Sequence, residues 1–186
     1  MAQEFKFTER YIGVVDRGEW PPGPWDKEPE DKLVWVDGAT DLDCMLHRGS
    51  LGGWCGYVGL PPGHPFHGMN YDAVDELSEG SLEVHGGLTF SDTCRPSEAG
   101  PQYGICHIEQ PGRPDPVWWL GFDCGHFMDK MPGMLAVLDR AGVDDPMDDP
   151  TGVLGRSMYK TMEYAIFNCT ALARQLAEVS GVVPQG

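Results

Sequence analysis

The segment Ser157 to Gly181, SMYKTMEYAIFNCTALARQLAEVSG, places Met158, Met162, Ile166, Cys169, Leu172 or Ala173, Leu176 and Val179 three or four positions apart. On an α-helix that spacing gathers the apolar side chains into one stripe, which must bury itself against something flat and apolar. Ser157 is the expected N-cap and Gly181 the expected stop, giving a C-terminal helix over residues 157–180. The partner surface is sought upstream. VWWLGFD (Val117 to Asp123) is the most hydrophobic candidate strand, and in SLGGWCGYVGL the residues Trp54, Gly56, Val58 and Leu60 alternate with Cys55, Tyr57 and Gly59. KLVWVDG (Lys32 to Gly38) reads as a strand ended by a turn.

Ser81 to Phe90 reads as a further strand. Leu82, Val84, Leu88 and Phe90 share one face, and Glu83, His85, Gly87 and Thr89 share the other. ICHIE is a further short strand, and SDTCRPSEAGPQYG and PPGHPFHG are loops. MNYDAVDEL is a short helix or turn, MPGMLAVLDRAG a short helix capped by Gly142, and DLDCMLH a helical turn or a connector. The fold class expected is α+β: a partly antiparallel sheet with a long C-terminal helix packed on one face. No internal repeat is visible, and residues 1–186 suit one domain. Residues 1–31 form an irregular proline-rich segment, where Pro21, Pro22 and Pro24 oppose helix and favour extended chain.

The chain carries 29 Asp plus Glu against 13 Lys plus Arg, a formal charge of −16. That field opposes nonspecific binding to nucleic acids and anionic membranes. No apolar run approaches the roughly 18 residues that span a bilayer. MAQEFKFTERYIG lacks the basic and apolar regions of a secretory leader, so a cytoplasmic location is expected. The six cysteines form no CxxC pair and are expected to be reduced, mostly buried thiols.

Chemistry concentrates in two stretches, LEVHGGLTFSD and VWWLGFDCGHFMD. Both put ionisable groups beside glycines, where core strands are otherwise bland. If they are neighbours, His85, Asp123 and His126 converge with Glu83 nearby. Two imidazoles and a carboxylate satisfy a divalent cation such as Zn or Mn. The same groups also suit metal-free acid–base chemistry, with Cys124 as a nucleophile. Both versions stay open. His64 and His67 in GHPFHG set a rigid turn or a lip over this pocket. Trp118 and Trp119 face opposite ways on a strand, and Trp119 is the candidate for stacking on a ligand. Arg95 is a candidate phosphate contact and Thr89 a further ligand-side group. Signatures of P-loop, dinucleotide-binding, zincin and α/β-hydrolase sites are absent.

The motifs WCGYVGLPPGHPFHG, EVHGGLTFSD and WWLGFDCGHFMD together resemble a family of small proteins of tailed phages and prophages, over roughly residues 50 to 180. The resemblance implies a phage accessory protein acting in the host cytoplasm, with a shared pocket around His64, His85, Asp123 and His126. Phe127 and Met128 stand where smaller residues are expected, which alters the pocket rim. Phage accessory proteins of this size often counter host defence, some by destroying or sequestering nucleotide second messengers. The expected function is therefore hydrolysis of a nucleotide-derived small molecule. The alternatives are a binding protein that holds such a ligand uncleaved and an acidic inhibitor of a basic protein. The methionine-bearing helix serves either as core or as a homo-oligomer interface.

Overall fold

The computed structural model describes residues 4–8, 13–28, 31–97, 100–105, 116–146 and 156–179. Its strands are β1 (Lys6–Thr8), β2 (Lys32–Val36), β3 (Asp43–Arg48), β4 (Trp54–Leu60), β5 (Phe90–Asp92), β6 (Arg95–Ser97), β7 (Gly100–Ile105) and β8 (Trp118–Asp123). Three helices follow the same chain order: α1 (Tyr71–Leu77), α2 (Pro132–Ala141) and α3 (Met162–Val179). The main sheet has the order β1-β2-β3-β4-β8-β5, and every pairing in it is antiparallel. β6 and β7 make a separate antiparallel pair. The protein is α+β.

Alternation along the strands sorts side chains to two faces. Leu33, Trp35, Leu46, Trp54, Val58, Leu60, Leu120 and Phe122 join one buried cluster. α3 lies on that face, burying Ala165, Cys169, Leu172, Ala173, Leu176 and Ala177. Its small residues let the helix come close, and the Cys169 thiol donates to the Tyr57 carbonyl at 3.2 Å. Met45, Tyr57, Val117 and Trp119 form the cluster on the opposite face. In the β4–β8 pairing, Gly56 sits opposite Phe122 and Gly121 opposite Tyr57. A Cβ at either glycine would lie within 2.5 Å of the facing ring, so glycine is what lets these rings lie flat on the sheet.

Several expectations are corrected. α3 starts at Met162 rather than at Ser157, because Thr161 caps it, its hydroxyl accepting the Tyr164 N–H at 3.2 Å. Met158 is consequently exposed, and Val179 at the far end is too. DLDCMLH supplies β3. SDTCRPSEAGPQYG is not a loop throughout, since it contributes the end of β5, all of β6 and most of β7. ICHIE supplies only the last residue of β7, and Cys106 to Glu109 lie outside the described residues, as does Gly181. Ser81 to Phe90 is not a strand. Gly86 and Gly87 adopt φ of 67° and 85°, which turns the chain. The backbone of Glu83 bonds to the Gln175 side chain of α3 instead of a neighbouring strand. Pairing with β8 begins only at Phe90.

The proline-rich segment folds as two short 3-10 turns, Arg17–Glu19 and Pro24–Lys27, rather than as extended chain. Buried Arg48 holds it. The guanidinium donates to Glu28 Oε2 at 2.8 Å, Asp31 Oδ1 at 3.0 Å and the Gly52 carbonyl at 2.7 Å, stacked 4.0 Å from the Trp54 ring. Glu28 Oε1 in turn accepts the Met162 N–H at 2.6 Å, tying this network to the start of α3. Burial pushes the Asp31 carboxyl above its ordinary range, although Arg17 and Arg48 pull the other way. Cys94 is disulfide-bonded, a departure from the expected six reduced thiols, and its partner lies outside the described residues. Among the described residues, no helix is long and apolar enough to cross a membrane.

Candidate metal centre

The chain leaves β8 at Asp123 and turns back immediately. Cys124 N–H donates to the Trp54 carbonyl at 2.8 Å, and Gly125 N–H to Asp123 Oδ1 at 2.9 Å. A second turn closes from Asp129 N–H to the His126 carbonyl at 2.9 Å, with Met128 at φ 71°. Met128 and Lys130 then bond to Met158 on either side of Asp129, which forms a parallel bridge with Met158. Pinned in this way, Asp129 turns its carboxylate inward, leaving the side chain 3% exposed.

That carboxylate collects the site. His85 Nε2 lies 2.7 Å from Asp129 Oδ2, and the His126 backbone N–H donates to the same oxygen at 3.1 Å. Lys160 Nζ stands 3.7 Å from Asp129 Oδ1. His85 is held from behind: its Nδ1 is 3.0 Å from the Tyr164 hydroxyl, and its backbone N–H donates to Asn168 Oδ1. Tyr164, Asn168 and Gln175 all belong to α3, so one helix positions the whole 83–85 segment. The His85 and His126 rings meet edge to face at 5.6 Å. Gly86 permits this contact, because a Cβ there would fall 2.1 Å from the His126 ring.

His126 Nδ1 is the unusual atom. It is buried and makes no hydrogen bond among the described residues, with Asp123 Oδ1 at 3.7 Å and Asp129 Oδ2 at 3.8 Å. A buried ring nitrogen left without a partner costs about 1–3 kcal/mol. One ligand atom each from His85, His126 and Asp129 lie within 4.8 Å of one another. Ligands sharing one Zn-sized cation stand ~3–3.5 Å apart, so side-chain shifts of about 1 Å complete a two-histidine, one-carboxylate set. Tyr164 then supplies the partner that fixes the His85 tautomer.

The structure brings His85 and His126 together, as their motifs suggested, with Asp129 rather than Asp123 between them. Asp123 remains beside His126, its oxygen engaged by Gly125 N–H. Glu83 is exposed and is held at its backbone. His64 is buried elsewhere: Nδ1 accepts the Phe66 N–H at 3.1 Å, and Nε2 meets the Leu176 carbonyl at 3.0 Å. Both of its ring nitrogens are engaged and it borders a separate hollow with Thr40, Asp41 and Pro62 rather than the His85–His126 centre, and burial lowers its pKa below the usual histidine range. His67 Nε2 meets the Pro116 carbonyl. Trp119 is wholly buried on the sheet face away from α3, so it stacks on no ligand, while its neighbour Trp118 donates to the Met69 carbonyl. Arg95 is exposed on β6 and paired with Asp92. Thr89 bonds through its backbone to Gly121. Cys124 borders the hollow beside Asp123 but is buried, and burial pushes its thiol upward, which disfavours the thiolate. Asp129 was legible only as the end of a His-x-x-Asp spacing.

Two hollows adjoin the centre. One of about 280 Å³ is lined by His126 and Asp129 together with Met128, Met131, Met134 and Leu138. The other, about 270 Å³, is lined by Asp123, Gly125, Trp54 and Cys55, and Met131 borders both. Comparison of the chain with protein-family models, curated proteins and solved structures finds no match.

Proposed function

We propose that this protein is a small metal-dependent hydrolase, with His85, His126 and Asp129 as the ligands of one divalent cation. The observation that carries the proposal is a buried His126 Nδ1 with no hydrogen bond among the described residues, in a cluster where one ligand atom each of His85, His126 and Asp129 lie within 4.8 Å of one another. A Zn²⁺ or Mn²⁺ ion there would supply an acidified water and polarise the oxygen of a scissile bond. The chain's own groups do the rest. Tyr164 orients His85, Lys160 offsets the Asp129 charge, and Asp123 beside His126 is placed to accept a proton. In hydrolysis the water oxygen bonds to the electrophilic atom and the bond to the leaving oxygen breaks. One water proton passes to Asp123 or solvent, from which a proton is delivered to the leaving oxygen, and the other stays on the new hydroxyl of the product.

The substrate we propose is a nucleotide-derived small molecule, in keeping with a phage accessory protein that removes a host-defence messenger. Its support is the motif resemblance together with a cation and Lys160 as local positive charge in an acidic protein. The cytoplasmic location we propose follows from the leader-free reading of MAQEFKFTERYIG, with the host cytoplasm following from the resemblance; the disulfide at Cys94 favours an oxidising compartment instead.

The test is metal analysis of the purified protein and titration with Zn²⁺ and Mn²⁺, followed by turnover assays on nucleotide and cyclic-nucleotide pools. Wild type is expected to bind one equivalent and to release product, and Asp129→Asn to do neither while keeping its fold. Stoichiometric recovery of intact ligand would favour sequestration. Absence of metal binding in wild type would remove the proposal.

A further inference from the structure

Lys160 is held firmly by its backbone and loosely by its head. On one side Met158 bonds to the Met128 carbonyl and the Lys130 N–H, and the Tyr159 hydroxyl accepts from Arg48 at 2.9 Å. On the other side Thr161 caps α3. The Lys160 side chain, 18% exposed, makes no hydrogen bond among the described residues. Its ammonium stands 3.7 Å from Asp129 Oδ1, beyond hydrogen-bond distance, and 5.3 Å from the centre of the Tyr164 ring. Three donors on a flexible four-carbon stem are thus uncommitted beside the centre.

In this arrangement the ammonium is the counter-charge of Asp129. A divalent cation on the same carboxylate sets a second positive charge beside it, and like charges so close repel. The lysine stem relieves that repulsion by swinging its head toward solvent while its backbone stays in place. We infer that Lys160 is a substrate-contacting residue, which yields Asp129 to the cation and then takes one nonbridging oxygen of a phosphate ester whose other oxygen lies on the metal. The inference rests on the metal-dependent hydrolase reading and deepens it by naming the substrate class. A phosphate ester carries a full negative charge spread over more than one nonbridging oxygen, so it can bridge the cation and the ammonium. A neutral ester or amide cannot. In a protein of net charge −16 the mean field repels such an anion, and its capture needs positive charge concentrated at the site. Binding is therefore ordered, metal first and anion second, because Lys160 serves Asp129 until the cation replaces it.

The experiment is calorimetric titration of wild type, Lys160→Met and Lys160→Arg with Mn²⁺, and then of each metal-loaded protein with inorganic phosphate and with acetate. Lys160→Met loses the like charge and is expected to bind Mn²⁺ about three- to tenfold more tightly, yet to bind phosphate about tenfold more weakly or worse. The opposite signs separate a contact from a scaffold, since a residue that only supported the fold would weaken both. Lys160→Arg keeps the charge and should hold phosphate within about threefold of wild type. Acetate should bind more weakly than phosphate to wild type. Lys160 side-chain resonances of the wild type should shift on phosphate addition only once metal is loaded, a readout that needs no variant. Mn²⁺ binding by wild type, with phosphate affinity unchanged in Lys160→Met, overturns the inference and leaves the metal centre standing. Equal phosphate binding with and without metal overturns it as well. Failure of wild type to bind Mn²⁺ or Zn²⁺ removes both the inference and the reading beneath it.

Discussion

Gly86 offers a direct way to disturb the centre without touching a ligand. Its φ of 67° and that of Gly87, 85°, lie in the left-handed region. An alanine at either position carries a similar backbone penalty, about 1–2 kcal/mol. The surroundings differ. At Gly87 a Cβ meets nothing within 4 Å, whereas at Gly86 it falls 2.1 Å from His126 Cε1 and 2.4 Å from Nδ1. Ordinary carbon contacts are ~3.5–4.0 Å, so the imidazole must retreat by more than about 1 Å. That movement takes Nδ1 away from Asp129 and His85. Gly86→Ala is therefore expected to weaken Zn²⁺ or Mn²⁺ binding by about 10–100-fold, the effect of disturbing a metal ligand's support. Gly87→Ala should keep wild-type affinity within about threefold, with the two variants equally destabilised apart from the clash. Calorimetric titration of each, with melting temperatures alongside, makes the comparison. Equal metal affinity in the two variants would refute the geometry on which the site rests.

Three further outcomes are expected. Arg48→Met leaves the buried carboxylates of Glu28 and Asp31 without their shared cation, and urea unfolding should show a loss of about 3–5 kcal/mol; a loss under about 1 would mean that solvent reaches them. Tyr164→Phe removes the oxygen behind His85 but keeps a ring beneath Lys160, so metal affinity should fall by about tenfold with the melting temperature little changed. His64 is held neutral, its pKa depressed by burial, so its contribution to stability is complete above the ordinary value near 6.5. As pH falls below that value the unfolded chain takes up a proton that the folded chain refuses, and stability declines until the folded pKa is passed. Melting temperatures measured from pH 7 to pH 5 should therefore fall more steeply in wild type than in His64→Gln, and parallel curves would contradict this.

The helix over Met162 to Val179 and the strands Trp54 to Leu60 and Trp118 to Asp123 were legible in the chain itself. Their periods, near 3.6 and 2, are local properties that any burying surface selects. The same rule misled at Ser81 to Phe90. There the apolar and polar residues alternate, yet two glycines turn the chain and side chains of α3 take the backbone hydrogen bonds that a strand would have used. Asp43 to Arg48 was unreadable for the opposite reason, since buried Cys44, Met45 and Leu46 run without alternation between partners on both sides.

The candidate site divides along the same line. The sequence by itself marked His85 and His126, because each lies in an apolar stretch with glycines that leave room beside it. Which carboxylate joins them was decided by tertiary structure alone. Asp123 and Asp129 flank His126 at equal spacing in the chain, but only Asp129 is fixed through its neighbours to Met158 and turned inward against His85. Inward direction is a property of backbone pairing between segments distant in sequence, and no local pattern of residues encodes it.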